Sequence, residues 1–143
     1  MTDVQLIKID NSNHYFINDF LSNAGKSLIS FRYFARRPLT VIQNHLCTYL
    51  LFHNNEPVCY GHLDKEGDKV WLGIAVSEKY TGKGLGKTMM EYLLQAARNN
   101  MLKGIYLSVD KDNFAAIELY QKFGFVLQKN TDTYLLYYLK ISG

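Results

Sequence analysis

Between positions 81 and 88 the chain reads Thr81-Gly82-Lys83-Gly84-Leu85-Gly86-Lys87-Thr88. Alternating glycines let a backbone approach a ligand closely, and amides at the start of a helix point at anions. An apolar strand ending at Val76 runs into this loop, and a helical pattern begins inside it. Together these make a cradle for a pyrophosphate, with Lys83 and Lys87 flanking it. A turn serving chain geometry alone does not require so many glycines. Counting excludes two other phosphate motifs. A P-loop needs glycine, four residues, then Gly-Lys-Ser/Thr. Gly86-Lys87-Thr88 supplies the end, but Thr81 stands at the first glycine position. A dinucleotide fingerprint Gly-x-Gly-x-x-Gly fails because Gly82, Gly84 and Gly86 alternate strictly.

The elements that must hold the loop follow from periodicity. Val4 to Ile9 alternates apolar and polar residues and reads as a strand. Asn11-Ser12-Asn13 caps a helix over His14 to Ala24, ended by Gly25. Ser27 to Arg36 reads as a second short helix, stopped before Pro38. Leu46 to Phe52, Val58 to Leu63 and Val70 to Val76 form a meander, turning at Asn54-Asn55 and at Lys65-Glu66-Gly67-Asp68. Leu85, Met89, Leu93, Ala96 and Ala97 recur at helical spacing up to Asn99-Asn100. Ile105 to Val109 is a short buried strand. Asn113 opens a helix with Ala116, Ile117 and Tyr120 on one side, ending at Gly124. Phe125 to Gln128 and Tyr134 to Ile141 are the last strands, around the polar turn Asn130-Thr131-Asp132. The order β-α-α-β-β-β-α-β-α-β-β defines an α/β (α+β) class. It predicts a mixed, mostly antiparallel sheet of about seven strands with about four flanking helices. Residues 1–143 are expected to form a single domain, with a parallel crossover at 70–109 alone.

Bulk properties narrow the function. Hydrophobic residues make up 48% of 143, enough for a core. A net charge of +3 does not call for nucleic acid. No apolar run suits a membrane helix, and Met1-Thr2-Asp3-Val4-Gln5 lacks the basic start of a leader, so the expectation is a soluble cytoplasmic protein. If the first hairpin turns about Asn54-Asn55, Cys59 sits opposite Leu50 rather than Cys47, and no disulfide is expected. His14, His45, His53 and His62 show no metal-site spacing, so no metal is expected.

Two motifs in the right order carry a resemblance. The loop is similar to the cofactor motif Gln/Arg-x-x-Gly-x-Gly/Ala of the GNAT superfamily of N-acetyltransferases. Gly84 and Gly86 match its glycines, and Thr81 stands where Gln or Arg is usual. The segment Asn113-Phe114-Ala115-Ala116-Ile117-Glu118-Leu119-Tyr120-Gln121-Lys122-Phe123-Gly124-Phe125 resembles the second motif. The resemblance implies acetyl-CoA as acyl donor. Ile74, Ala75 and Val76 would pair with its pantetheine arm. Gly82, Lys83, Gly84, Leu85, Gly86, Lys87 and Thr88 would hold its pyrophosphate. Asn113 would contact the pantetheine while capping its helix. Tyr120 would receive the leaving thiolate, by hydrogen bond or by proton transfer.

The implied reaction is direct attack by a primary amine of a small-molecule acceptor in a ternary complex. Neutralising a lysine-like amine at pH 7 costs roughly 4–5 kcal/mol, so a base or a water chain must take its proton. Many family members carry a glutamate on the fourth strand, but Lys69 to Val76 has no carboxylate. His62 is the candidate base, with Asp64 on the same face by period two. In this fold the first two helices border the acceptor cleft. Phe31-Arg32-Tyr33-Phe34-Ala35-Arg36-Arg37 there suits an anionic, ring-bearing acceptor such as an amino sugar or nucleotide-linked amino sugar. Tyr33, Arg36 and the turn Asn130-Thr131-Asp132 are candidate acceptor contacts. A protein or peptide acetyltransferase and a non-catalytic CoA-binding sensor are the alternatives, and a homodimer is compatible with any of them.

Overall fold

The computed structural model describes residues 3–142. Met1 and Thr2, part of the segment read above for a leader, and Gly143 lie outside the described residues. The strands are β1 (Gln5–Lys8), β2 (His45–His53), β3 (Glu56–Glu66), β4 (Lys69–Val76), β5 (Gly104–Asp110), β6 (Val126–Asn130) and β7 (Tyr134–Lys140). The helices are α1 (Tyr15–Asn23), α2 (Leu85–Asn99) and α3 (Phe114–Lys122). The strands form one seven-stranded sheet in the order β1-β2-β3-β4-β5-β7-β6. Every pairing is antiparallel except β4 with β5, where α2 makes the crossover.

Alternation along the strands feeds two cores, one on each face. Leu51, Cys59, Leu63 and Leu72 join Met89, Met90 and Leu93 of α2. Their neighbours Leu50, Tyr60 and Ala75 face the other way, against Ile17 and Phe20 of α1. Each fully buried leucine or methionine of α2 stabilises the fold by about 2 kcal/mol.

Two local expectations need correction. The segment Ser27–Arg36 is not an α-helix, which leaves three α-helices rather than four among the described residues. Gly25–Ile29 is a 3-10 turn, residues 31–37 pass through turns and bends, and a second 3-10 stretch covers Leu39–Asn44. Tertiary contacts override the local preference. The Ser27 hydroxyl donates to the Val76 carbonyl, and Phe31 and Phe34 pack on Tyr60 with ring centroids 5.3 and 5.4 Å away. In the first hairpin Asn54 and Asn55 take positive φ, as a two-residue turn requires. A register shift between Leu51 and Phe52 then places Leu51, not Leu50, opposite Cys59. Pro57, which has no amide hydrogen, stands at that irregularity. Cys47 faces Leu63, and both cysteines are free.

Candidate functional site

Strand β4 carries the site because one of its edges is open. The Ser77 amide bonds the Val58 carbonyl at 2.9 Å. With Tyr60 opposite Ala75, this sets the odd-numbered residues of β4 to bond β3. Ile74 and Val76 therefore aim their backbone groups toward β5. Among the described residues β5 meets β4 at Trp71↔Tyr106 alone, so the strands diverge beyond it. A cavity of about 1340 Å³ fills the gap.

Gly82, Gly84, Leu85, Gly86 and Lys87 line one end of this cavity. Gly84 is the N-cap of α2 at φ 82°, and Gly82 has φ +76°. A side chain resists that left-handed backbone, and the amides of the first helical turn are left without intrahelical partners. Thr81 lines the cavity as well, its hydroxyl donating to the Glu78 carbonyl at 3.0 Å. Lys83 and Thr88 do not line it, although both were assigned to the cradle. Thr88 lies one turn inside α2 and donates back to the Gly84 carbonyl at 3.2 Å.

The opposite wall comes from α3. The Asn113 side chain accepts the Ala116 amide at 3.4 Å and lines the cavity. Tyr120 is 7% exposed, packs on Phe125 and also lines it. Burial, with a smaller contribution from Cys59, pushes its hydroxyl up to about 12. At neutral pH it is therefore a donor. Full transfer of its proton to an ordinary thiolate would be uphill by about 5 kcal/mol, whereas donating a hydrogen bond carries no such cost.

The third wall is a face of β3 bearing His62, Asp64 and Glu66 at period two. His62 is 3% exposed and lies against Tyr33 and His45, centroids 4.3 and 4.6 Å away. Its Nδ1 is 2.7 Å from the hydroxyl of fully buried Tyr60. The Tyr60 hydroxyl has no other partner among the described residues, so it donates to Nδ1. Burial, with smaller contributions from His45 and the Arg37 guanidinium, holds His62 well below the usual imidazole range. The neutral ring then carries its hydrogen on Nε2. That atom points at Gly73, where an added Cβ would lie 2.5 Å away. His62 thus presents a donor to the cavity, and its one acceptor nitrogen is already used. This geometry argues against the expected role as base.

The turn 31–37 closes the site differently from a helix. Arg32, Tyr33 and Arg37 line the cavity; Arg36 is exposed and does not. In the turn Arg37 folds over the Tyr33 ring, 4.2 Å from its centroid, which leaves Arg36 facing away. Arg32 makes a two-pronged ion pair with Asp110, both contacts at 3.0 Å. The turn Asn130-Thr131-Asp132 joins the edge strand β6 to β7 and is absent from the cavity wall. Ser27, Trp71 and Asp110 also line the cavity. Nothing in their local sequence marks them, because each arrives from a different element.

Among the described residues no group of three or more His, Cys, Asp or Glu side chains could hold a metal ion. No helix among them is long and apolar enough to cross a membrane.

Comparison with known proteins agrees with this geometry. Over 71 residues, 48% of this chain and 47% of the relative, the sequence is 44% identical to a spermine/spermidine N(1)-acetyltransferase of Bacillus subtilis (strain 168). Over the same length it is 42% identical to a probable spermine N(1)-acetyltransferase of Bacillus subtilis subsp. natto. The match spans about half the length of these curated relatives, 47% in each case. Solved structures share the fold. The ribosomal-protein-S18-alanine N-acetyltransferase from Escherichia coli aligns with a TM-score of 0.77 over 98% of this chain and 95% of its own, at 22% identity. PaiA N-acetyltransferase from Thermoplasma acidophilum, in complex with coenzyme A, gives 0.77 over 96% and 98%, at 16% identity. YncA from Salmonella typhimurium, with its cofactor acetyl-CoA, gives 0.74 over 99% and 95%, at 15% identity. A model of the acetyltransferase (GNAT) family matches residues 9–125, which include β4, the glycine loop and α3, and the chain belongs to that family.

Proposed function

We propose that the protein transfers the acetyl group of acetyl-CoA to a primary amine of a small molecule, with donor and acceptor bound together. The observation that carries this reading is one cavity that joins the glycine loop, the open edge of β4, Tyr120 and the polar face of β3.

The residues fit the donor. A Cβ built on Gly82 or Gly84 would meet no atom within 4 Å, so the space above the loop is open to a diphosphate. The first-turn amides of α2 and Lys87 face that space, whereas Lys83 and Thr88 lie outside it, the Thr88 amide being bonded to the Gly84 carbonyl at 3.1 Å. The Ile74 backbone and the Val76 amide are left for an amide-bearing arm, while the Val76 carbonyl is taken by the Ser27 hydroxyl. Asn113 orients α3. When bound, the thioester supplies an activated acyl group. Tyr120 donates a hydrogen bond toward the thiolate side, and His62 Nε2–H donates to a ligand oxygen. The amine's proton leaves through water in the cavity.

For the acceptor, a polyamine is favoured over an amino sugar. Both curated relatives described above carry spermine in their names. Asp64 and Glu66 make the β3 wall acidic. The arginine cluster that suggested an anionic acceptor is split: Asp110 neutralises Arg32, Arg36 lies outside the cavity, and Arg37 alone stays in the wall, folded over the Tyr33 ring. A cytoplasmic location belongs to the same reading, since the two free thiols persist in a reducing compartment.

The test is thiol release from acetyl-CoA across a panel of n-butylamine, diamines, spermidine, glucosamine and a lysine peptide, with mass spectrometry of the product. Release with spermidine is expected. Faster release with the peptide would favour protein acetylation. Silence with every amine, despite tight CoA binding, would favour a sensor.

A further inference from the structure

Asp64 is 4% exposed, lines the cavity, and has no part in the donor chemistry. Its Oδ2 accepts the Tyr33 hydroxyl at 2.7 Å. Its Oδ1 has no hydrogen-bond partner among the described residues, and Asp64 enters neither the Arg32–Asp110 nor the Lys122–Glu118 ion pair. A carboxylate this buried is costly unless a cation meets it.

Its neighbours are ordered so that their donors point toward it. Tyr33 has one hydroxyl proton and gives it to Asp64. At the other contact of that oxygen, 2.7 Å away, His45 Nε2 must then be the donor. His45 is neutral, because burial lowers it to about 4. Its Nδ1 is thus an acceptor, taking the Thr48 hydroxyl at 2.8 Å. Every donor in the chain Thr48–His45–Tyr33 points toward Asp64, and such chains polarise in one direction. Burial, with the Asp64 carboxylate adding to it, pushes the Tyr33 hydroxyl well above the usual phenol range, so Tyr33 stays a donor.

Arg37, over the Tyr33 ring, donates to the Tyr33 carbonyl and forms no ion pair with Asp64, so the partner left for Oδ1 is a cation that enters through the cavity. An ammonium held by a carboxylate keeps its proton and is not a nucleophile. The nitrogen at Asp64 is therefore not the one acetylated. We propose that Asp64 Oδ1 anchors a second, non-reacting ammonium of the acceptor, so that the enzyme selects α,ω-diamines and longer polyamines over monoamines. This rests on the amine N-acetyltransferase reading of the same cavity. Trp71, directly across the β3–β4 ladder from Asp64 and also in the wall, gives an aromatic face to the same cation. Glu66, two residues farther along, extends the acidic face outward for another nitrogen.

The experiment compares 1,4-diaminobutane with n-butylamine in wild type, Asp64→Asn and Tyr33→Phe. It measures kcat and KM by thiol release, and diamine binding to CoA-saturated protein by calorimetry. Wild type should prefer the diamine by about 100-fold in kcat/KM. Asp64→Asn should shrink that preference by about 30-fold or more, through KM, with a parallel weakening of calorimetric diamine affinity. Tyr33→Phe, a positioning change, should give a smaller KM effect in the same direction. Equal use of both amines by wild type, or an Asp64→Asn protein that binds the diamine as wild type does, would overturn the proposal. So would a loss confined to kcat. CoA titration checks that each variant is folded, and Asp64→Glu, which keeps the charge, replaces Asp64→Asn if that protein does not fold. If no amine releases thiol, acetyl transfer has failed, and calorimetry still decides whether Asp64 holds the diamine.

Discussion

Single residues decide the chemistry. Tyr120 is buried, protonated and free to donate into the cavity. Tyr120→Phe removes that donor and little else. We expect kcat for acetyl transfer to fall by about 100-fold, with the dissociation constant for acetyl-CoA, read by calorimetry, nearly unchanged. Wild-type turnover in this variant would remove Tyr120 from the reaction. His62 teaches a different lesson. Its position on β3, its face and its company with Asp64 are all legible from period two. Its protonation is not, because that depends on the Tyr60 hydroxyl, which reaches Nδ1 from two residues away only after both side chains are buried. Arg36 and Arg37 are adjacent in sequence, and only the turn selects which of them meets Tyr33.

At the scale of elements, the glycine loop can be separated from glycine backbone strain in general. Gly84 and Gly67 both have positive φ and both have open space where a Cβ would go. Gly84 faces the cavity; Gly67 is in the β3–β4 turn and does not. Alanine at either site should cost about 1–2 kcal/mol of stability, visible as a similar fall in Tm. Only Gly84→Ala should also weaken CoA binding, by about 10-fold or more, since its methyl occupies ligand space. Equal CoA affinity in the two variants would refute the cradle assignment. The strands, the loop and all three α-helices among the described residues were readable because their periodicity agrees with their burial. The segment 27–36 was not, because its fold is set by partners more than twenty residues away, Val76 and Tyr60.

The molecule as a whole holds two neutral histidines against one sheet face, His62 buried and His45 partly buried. His45 is lowered to about 4 by burial, against a smaller opposing pull from Asp64, and His62 lies well below the ordinary value. In the unfolded chain both would titrate near 6.5. Below that pH the unfolded state binds more protons than the native state, so stability falls as pH drops from about 6.5 toward 4. It is fully present above that window. Thermal melts between pH 7.5 and pH 4 should show a declining Tm, and the slope should be shallower in His45→Gln, the less buried of the pair. A flat profile would mean that these rings are not buried neutral.

In sequence, the strand order was enough for the fold class, and the glycine spacing and the Asn113–Tyr120 motif carried the family resemblance that implied the acetyl donor. Each rests on local period or contiguous spacing, which a chain carries in one dimension. The tertiary structure decided the wall of the cavity that faces the glycine loop. It joined Asp64, Tyr33, His45 and Thr48 into one directed chain, neutralised Arg32 with Asp110, and turned His62 into a donor. Those outcomes depend on side chains from separate elements meeting in a buried place. There, hydrogen-bond direction and desolvation set each group's charge, and neither can be read before the chain has folded.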